Sequence, residues 1–258
     1  MIPFRPLRAL TAASCAAALT FSAIVPAAAL SPSERSEIET VIKEYLLQNP
    51  EVVRDAMIEL QRRQQEAEAK ERADAVKTNR ALIFDSPRGV VIGNPRGDVT
   101  IVEFFDYNCG YCKRALSDMD ELLKADSKLK FVMKEFPVLG PGSLEAAKVA
   151  VAVRMQDKNG SKYPEFHRRL LGARGEANRE RAMAAAKDAG LNLAQIENDL
   201  KSDEIEATLL ESMALADALG ISGTPSYVIG DQVVPGAVGA DALRQQIEAV
   251  RKCGTVSC

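Results

Sequence analysis

Two cysteines, Cys109 and Cys112, stand directly after a predicted apolar strand, residues 99–105, and at the start of a predicted helix. The first turn of a helix carries a partial positive charge and free N–H groups, which stabilise a thiolate. The Cys-x-x-Cys spacing at such a place is typical of a redox-active dithiol. We expect Cys109, at the helix terminus, to be the nucleophile. Cys112, one turn further in, is expected to resolve the mixed disulfide.

The first residues predict a secretory signal peptide. Arg5 and Arg8 precede an apolar run, residues 10–25, which ends in the small residues 27–29. A retained membrane anchor is the alternative, but the run is shorter than the roughly 20 residues that span a bilayer. We therefore expect cleavage after residue 29. This would also remove Cys15 and leave an even number of cysteines, as suits an exported disulfide protein.

Composition excludes several other classes of protein. The chain contains one histidine, which argues against a multi-histidine metal enzyme. Its net charge of −3 provides no basic surface for a nucleic-acid partner. No later stretch reaches transmembrane length, so the mature protein is expected to be soluble.

An amphipathic extension follows the predicted cleavage site. Its first helix, for which Ser33 is a candidate cap, carries an apolar stripe formed by Ile38, Val41, Ile42, Tyr45 and Leu46. Asn49 and Pro50 end that helix and begin a second one, whose later part, residues 61–77, is highly charged. The extension is either a solvated linker or a stalk that pairs with copies of itself. We favour self-association through residues 33–77, because the apolar stripe needs a surface to cover it.

From residue 82 the pattern changes to that of a mixed α/β domain. Strands are predicted at residues 90–92, 99–105, 129–136, 226–229 and 232–234. A helical block at residues 143–219 separates the third strand from a hairpin that turns at Gly230 and Asp231, and a last helix covers residues 240–252.

Residues 102–112, Val-Glu-Phe-Phe-Asp-Tyr-Asn-Cys-Gly-Tyr-Cys, together with Gly223-Thr224-Pro225, resemble the DsbA family of periplasmic thiol–disulfide oxidoreductases. The resemblance covers roughly residues 82–252. It implies a thioredoxin fold with a helical domain inserted at about residues 141–220, preceded here by an α-helical stalk. The leading helices resemble the N-terminal extension of the ScsC-like branch, which is associated with copper tolerance. Three regions are predicted: a signal peptide at 1–29, a helical extension at 30–81 and a DsbA-like domain at 82–258.

The resemblance assigns roles to several residues. Thr224 and Pro225 match a cis-proline loop that faces the dithiol and binds the substrate backbone, together with Gly110 and Tyr111 between the cysteines. An ordinary trans turn proline is the alternative for Pro225. Glu103 matches a buried acid that exchanges a proton with Cys112. The alternative is an edge-strand glutamate that faces water.

The direction of the reaction depends on the dipeptide Gly110-Tyr111, which replaces the Pro-His of the strongly oxidising members. Without that imidazole we expect a weaker oxidant, and Thr224 resembles the residue found in isomerases. Disulfide isomerase or reductase is therefore the first choice, and dithiol oxidase is the second. The resemblance implies cysteine-containing exported substrates, periplasmic localisation and a membrane partner. That partner is a DsbD/ScsB-like reductase for an isomerase and a DsbB-like oxidase for an oxidase.

The remaining cysteines, Cys253 and Cys258, are expected to form a structural disulfide. A second redox relay and a four-cysteine zinc site with Cys109 and Cys112 are the alternatives. The reaction needs no cofactor, and no metal site is predicted. His167, beside charged residues on a predicted helical turn, is expected to be solvated. Two rival functions remain open: a copper- or zinc-binding thiol protein in metal tolerance, and an adhesin-like surface protein.

Overall fold

The computed structural model describes residues 31–256. Five strands are present: β1 (Val90–Gly93), β2 (Val99–Phe105), β3 (Leu129–Glu135), β4 (Ser226–Ile229) and β5 (Gln232–Pro235). Ten helices are present within these residues: α1 (Pro32–Gln48), α2 (Pro50–Thr78), α3 (Arg80–Phe84), α4 (Gly110–Ala125), α5 (Pro141–Gln156), α6 (Tyr163–Gly172), α7 (Arg179–Asp188), α8 (Leu193–Asp199), α9 (Asp203–Ala218) and α10 (Ala240–Cys253). The predicted signal peptide lies outside the described residues. No helix within residues 31–256 is both long and apolar enough to cross a membrane.

The chain forms two compact units, with the division after Glu59. In the first unit, Ser31 caps α1 by a capping box with Glu34, and Pro32 occupies the first turn. The prediction of Ser33 as the cap was wrong, because Pro32 favours a helix start directly after Ser31. Asn49 ends α1 by a backbone hydrogen bond to Tyr45, as predicted.

The apolar stripe of α1 is exposed in the single chain. Helix α1 buries none of its residues, and four apolar side chains of the stripe are at least 44% exposed. These are Ile38, Val41, Ile42 and Tyr45. Nothing within the single chain covers the stripe among the described residues.

In the second unit, the five strands form one mixed sheet in the order β1-β3-β2-β4-β5. The central strand β2 is parallel to β3, with Val99 opposite Leu129, and antiparallel to β4, with Glu103 opposite Tyr227. The crossover between β2 and β3 is α4, so the dithiol helix starts at the end of the central strand. The predicted thioredoxin fold with an inserted helical domain is confirmed.

Each face of the sheet has its own core. Ile101 and Phe105 belong to the core shared with α4, α10 and most of the inserted helices. Val102 and Phe104 point the other way, into a core that includes Ile83 of α3 and Leu215 of α9. Because successive strand residues alternate between faces, Glu103 lies on the α4 side with Ile101 and Phe105.

The second face also contains a fully buried cation, Lys134 of β3. Its Nζ donates to the Leu82 carbonyl at 3.0 Å and to Glu211 Oε1 at 2.9 Å. Burial lowers the pKa of Lys134, while Glu211 opposes that shift. The short helix α3, which no sequence pattern predicted, is thereby attached to the sheet and to α9.

Candidate functional site

Cys109 and Cys112 lie where β2 passes into α4. Cys109 is the N-cap residue of α4, and its Sγ accepts a hydrogen bond from the Cys112 backbone N–H at 3.3 Å. Both are free thiols. Cys109 is 5% exposed and Cys112 is 0% exposed, so only Cys109 is accessible to another molecule.

The loop predicted to bind substrate lies against Cys109. The Thr224–Pro225 peptide bond is cis, as the resemblance implies. The Cys109 thiol donates to the Thr224 carbonyl at 3.1 Å, although residue 224 is more than a hundred positions away in sequence. The loop is held by hydrogen bonds from Gly236 N to the Pro225 carbonyl and from Ser226 Oγ to the Gly223 carbonyl, both 2.8 Å.

Gly110 and Tyr111 occupy the first turn of α4, on its outer side. Tyr111 is 59% exposed, and the Arg114 guanidinium stacks over its ring at 4.3 Å from the centroid. A Cβ added at Gly110 would meet no atom within 4 Å. The two residues thus form an accessible surface beside Cys109 rather than part of the core.

Glu103 is buried beneath the dithiol in the central strand. Its strand β2 lies between β3 and β4 and its side chain is 3% exposed, so the alternative of an edge-strand glutamate facing water is wrong. Burial, with a further contribution from Asp118 on α4, raises the pKa of Glu103 to about 8. Glu103 is therefore largely protonated near neutral pH and can both give and accept a proton there.

Cys112 and Tyr227 share this buried environment. Burial raises the pKa of the Cys112 thiol, and the negative charge of Glu103 contributes to that increase. Burial also raises the pKa of Tyr227, with contributions from Glu103 and Cys112. Cys112 is thus kept as a neutral thiol in the reduced protein until a base removes its proton.

Asp106, a residue that sequence reasoning missed, organises the loop before Cys109. Its buried carboxylate accepts hydrogen bonds from four groups at 2.7–3.0 Å. The donors are the backbone N–H groups of Asn108, Val138 and Leu139 and the hydroxyl of Ser143. A charged residue directly after an apolar strand was the only sequence signal for this role.

Asn108 connects the same loop to the inserted helices. Its side-chain amide donates to the Ala177 carbonyl at 2.9 Å and accepts from the Ala177 N–H at 2.6 Å. It also donates to Ser143 Oγ at 2.9 Å. Lys113, directly after Cys112, reaches the same connection between α6 and α7 and donates to the Ala173 carbonyl at 2.9 Å. Residues on both sides of the dithiol thus attach it to the insertion.

His167 is buried, and the prediction that it is solvated was wrong. It is 1% exposed, stacks on Tyr163, and its Nδ1 lies 3.4 Å from the Tyr107 hydroxyl. Burial lowers the pKa of His167 to about 3, so the imidazole is neutral. The hydroxyl of Tyr163 donates to Glu135 at 2.9 Å, and burial raises the pKa of that carboxyl. This cluster joins the end of β3 to α6 behind the dithiol loop.

The second cysteine pair is described in part. Cys253 ends α10 and is disulfide-bonded. Cys258 lies outside the described residues, so its pairing with Cys253 stays a prediction. Residues 31–256 contain no group of three or more His, Cys, Asp or Glu side chains arranged to hold a metal ion.

A DSBA-like thioredoxin domain model matches residues 100–248, more than half of the chain. The chain belongs to the DsbA-like thioredoxin family. The matched domain is of the thiol–disulfide oxidoreductase kind that the sequence predicted. A second model, the N-terminal domain of the copper resistance protein ScsC, matches residues 34–67. The predicted resemblance to ScsC-like DsbA proteins is thereby confirmed.

Solved structures agree with this assignment. A thioredoxin-like oxidoreductase from Silicibacter pomeroyi is 43% identical, with a TM-score of 0.64 over 68% of this chain and 99% of that one. BcfH from Salmonella enterica Typhimurium is 27% identical, with a TM-score of 0.71 over 86% of this chain and 96% of that one. The likeness to BcfH therefore covers more of this chain.

Several curated relatives are much longer proteins. The Na(+)/H(+) antiporter NhaA 1 of Salinispora arenicola is 27% identical over 161 residues, which are 62% of this chain and 24% of the transporter. The chain spans about a quarter of the length of such relatives. The similarity therefore concerns only one part of each transporter.

Proposed function

We propose that this DsbA-like protein catalyses thiol–disulfide exchange in exported proteins, with Cys109 as the nucleophile and Cys112 as the resolving thiol. One observation carries the proposal: the Cys109 sulfur lies between the Cys112 N–H and the Thr224 carbonyl, while Cys112 is completely buried. A thiolate at Cys109 would keep the N–H donor and the field of the α4 N-terminus. The signal peptide at residues 1–29, the extension at 30–81 and the domain at 82–258 form part of this proposal.

The first step transfers no net electrons. The Cys109 thiolate attacks one sulfur of a substrate disulfide, which forms a Cys109–substrate disulfide and releases the other substrate sulfur as a thiolate. In isomerisation, that thiolate attacks a different disulfide of the substrate. A last substrate thiolate then displaces Cys109, so the enzyme ends reduced and the substrate keeps its number of disulfides.

Alternatively, the mixed disulfide is resolved by Cys112, which reduces the substrate. Cys112 loses its proton and attacks the Cys109 sulfur, which forms the Cys109–Cys112 disulfide and releases the second substrate thiol. Two electrons pass from the dithiol to the substrate. We assign acceptance of the Cys112 proton to Glu103, whose ionised form is accessible near its pKa of about 8.

We propose isomerase or reductase as the working direction. Gly110 and Tyr111 supply no imidazole beside Cys109. The exposed stripe of α1 supports self-association through residues 33–77, which would bring several dithiols to one misfolded substrate. Such an enzyme works in the periplasm and needs a membrane reductase of the DsbD/ScsB kind to stay reduced. Dithiol oxidase, with a DsbB-like partner, is the reverse direction of the same chemistry.

The proposal is tested with the mature protein and two single variants. We expect reduction of insulin and refolding of scrambled ribonuclease by the wild type. Cys109→Ser should abolish both activities. Cys112→Ser should instead accumulate the mixed disulfide with substrate, which non-reducing electrophoresis and mass spectrometry detect. The two variants are matched controls for each other, because each removes one thiol of the pair.

Two results would contradict the proposal. The first is trapping of substrate by Cys109→Ser rather than by Cys112→Ser. The second is stoichiometric copper or zinc held by the reduced protein against a chelator, without any insulin reduction or ribonuclease refolding. That outcome would favour the metal-binding function.

A further inference from the structure

A cavity of about 370 Å³ opens beside the cis-proline loop. Its walls come from the end of α2, the loop before β4, and β5. The residues that shape it include Arg72, Ile221, Thr224, Pro225, Val233 and Pro235. Thr224 both lines the cavity and accepts the hydrogen bond from the Cys109 thiol, so the cavity is next to the reacting sulfur.

Arg72 is the one charged residue among the described residues that line this cavity. A Cβ added at Gly220, which also lines the cavity, would lie 3.8 Å from Arg72 Nε, so the guanidinium lies close to the loop before β4. Its ion pair with Glu68 is a single contact of 3.5 Å between exposed side chains. Such a contact is weak, and a guanidinium has five N–H donors. Arg72 therefore retains the capacity to bind a second carboxylate.

We propose that Arg72 determines substrate preference by binding an acidic side chain near the reacting cysteine of an extended substrate segment. This inference rests on the proposed exchange function and adds a substrate class to it. The remaining lining residues are uncharged, so no carboxylate in the cavity competes with that of the substrate. An extended chain advances roughly 3.3 Å per residue, so four residues on either side of the cysteine cover roughly 13 Å in each direction.

The test uses short peptides with one cysteine each, oxidised to symmetric disulfide dimers. Attack by Cys109 on either sulfur then gives the same mixed disulfide, and the net reaction yields two peptide thiols and the Cys109–Cys112 disulfide. In each series one position, from four before to four after the cysteine, holds Glu, Gln or Lys. The second-order rate constant is measured with the reduced mature protein at low and high ionic strength.

We expect the wild type to prefer the Glu peptide over the Gln peptide about threefold at one or two positions, and to disfavour the Lys peptide. The preference should disappear in Arg72→Gln, persist in Arg72→Lys and shrink at high salt. Arg62→Gln is the matched control. Arg62 lies on the same helix, pairs with Glu66 one turn away and does not line the cavity.

Equal rates for Glu and Gln peptides at every position would overturn the inference. So would a preference that survives in Arg72→Gln, or one that Arg62→Gln abolishes equally, because both results indicate a general electrostatic effect. Failure of all peptides, including the neutral series, to react with the reduced protein would instead contradict the exchange function itself.

Discussion

Individual buried residues around the dithiol differ in how far the sequence reveals them. Glu103 could be placed correctly because the period of two in a strand puts it on the same face as the apolar residues Ile101 and Phe105. The prediction for His167 was wrong because it followed the charged neighbours Arg168 and Arg169 and not the helical spacing of the apolar residues. Together with Tyr163, Phe166 and Leu170 it forms an i, i+3, i+4, i+7 stripe on α6, and that stripe is buried.

The pH dependence of stability should reveal the buried acid Glu103. Its pKa is about 8 in the folded protein against an ordinary value of 4.5, so between these values the unfolded chain loses a proton that the folded chain keeps. The contribution of Glu103 to the free energy of unfolding is therefore fully present below pH 4.5 and is lost as the pH rises towards 8. Glu103→Gln removes the effect. The free energy of unfolding of the Glu103→Gln variant, relative to that of the wild type, should increase by up to about 1.4 kcal/mol per pH unit between pH 4.5 and 8.

Urea unfolding at pH 5, 6, 7 and 8 measures this difference. Glu121→Gln is the control for loss of one negative charge on the outer side of α4, where the side chain is mostly exposed. Parallel curves for Glu103→Gln and wild type would contradict the buried position of the acid.

The imidazole of His167 should stay neutral over the whole physiological range. It is the single histidine of the chain, so one resonance reports on it without assignment. Since burial lowers its pKa to about 3, we expect no titration of that proton signal between pH 8 and pH 4. The chain unfolded in guanidinium should titrate near pH 6.5. A transition near pH 6.5 in the folded protein would mean that His167 is solvated after all.

At the scale of secondary-structure elements, the strands could be predicted and the connections between elements could not. Alternating or continuous apolar runs bounded by glycine and proline marked all five strands to within about two residues. Helix α3 has five residues, which is too short for a helical period to show. The partners of Asp106 and Asn108 lie tens of residues away, on Val138, Ser143 and Ala177, so only the folded chain brings them together.

The Asp106 carboxylate should be essential for the loop between β2 and α4. Asp106→Ala leaves its buried donors without an acceptor, and we expect a loss of about 2–4 kcal/mol in the free energy of unfolding. Asp241→Ala is the matched control, since Asp241 is on a helix surface and 89% exposed at its side chain. Urea unfolding of both variants measures the effect. Equal stabilities would contradict a supporting role for Asp106.

At the scale of the whole molecule, the sequence predicts a helical stalk but not the number of chains that form it. The apolar stripe of α1 is visible as a helical period and is exposed in the single chain. In the proposed self-association, the number of copies depends on contacts between chains, and no intrachain pattern encodes that number.

Self-association should depend on that stripe. Replacement of Val41 and Ile42 by Glu places charges on the surface that copies would bury, and we expect light scattering to give a monomer mass. Leu47→Glu is the matched control, because Leu47 is equally apolar, 72% exposed and on the opposite side of α1. The Val41→Glu/Ile42→Glu variant should keep insulin reduction and lose ribonuclease refolding. A wild-type protein that is already monomeric would end the stalk proposal.

The two outer strands of the sheet have a consequence for the proposed exchange function, whose substrates include incompletely folded chains. Both β1 and β5 have only four residues; Pro87 and Pro95 flank β1, and Pro235 ends β5. Short edges interrupted by proline offer little template for an incoming strand, since proline has no N–H to donate. An unfolded chain can therefore form few backbone hydrogen bonds with the edge strands β1 and β5. We expect this to limit co-aggregation with the substrates of the proposed exchange reaction, for which the proposed docking site is the backbone at Thr224.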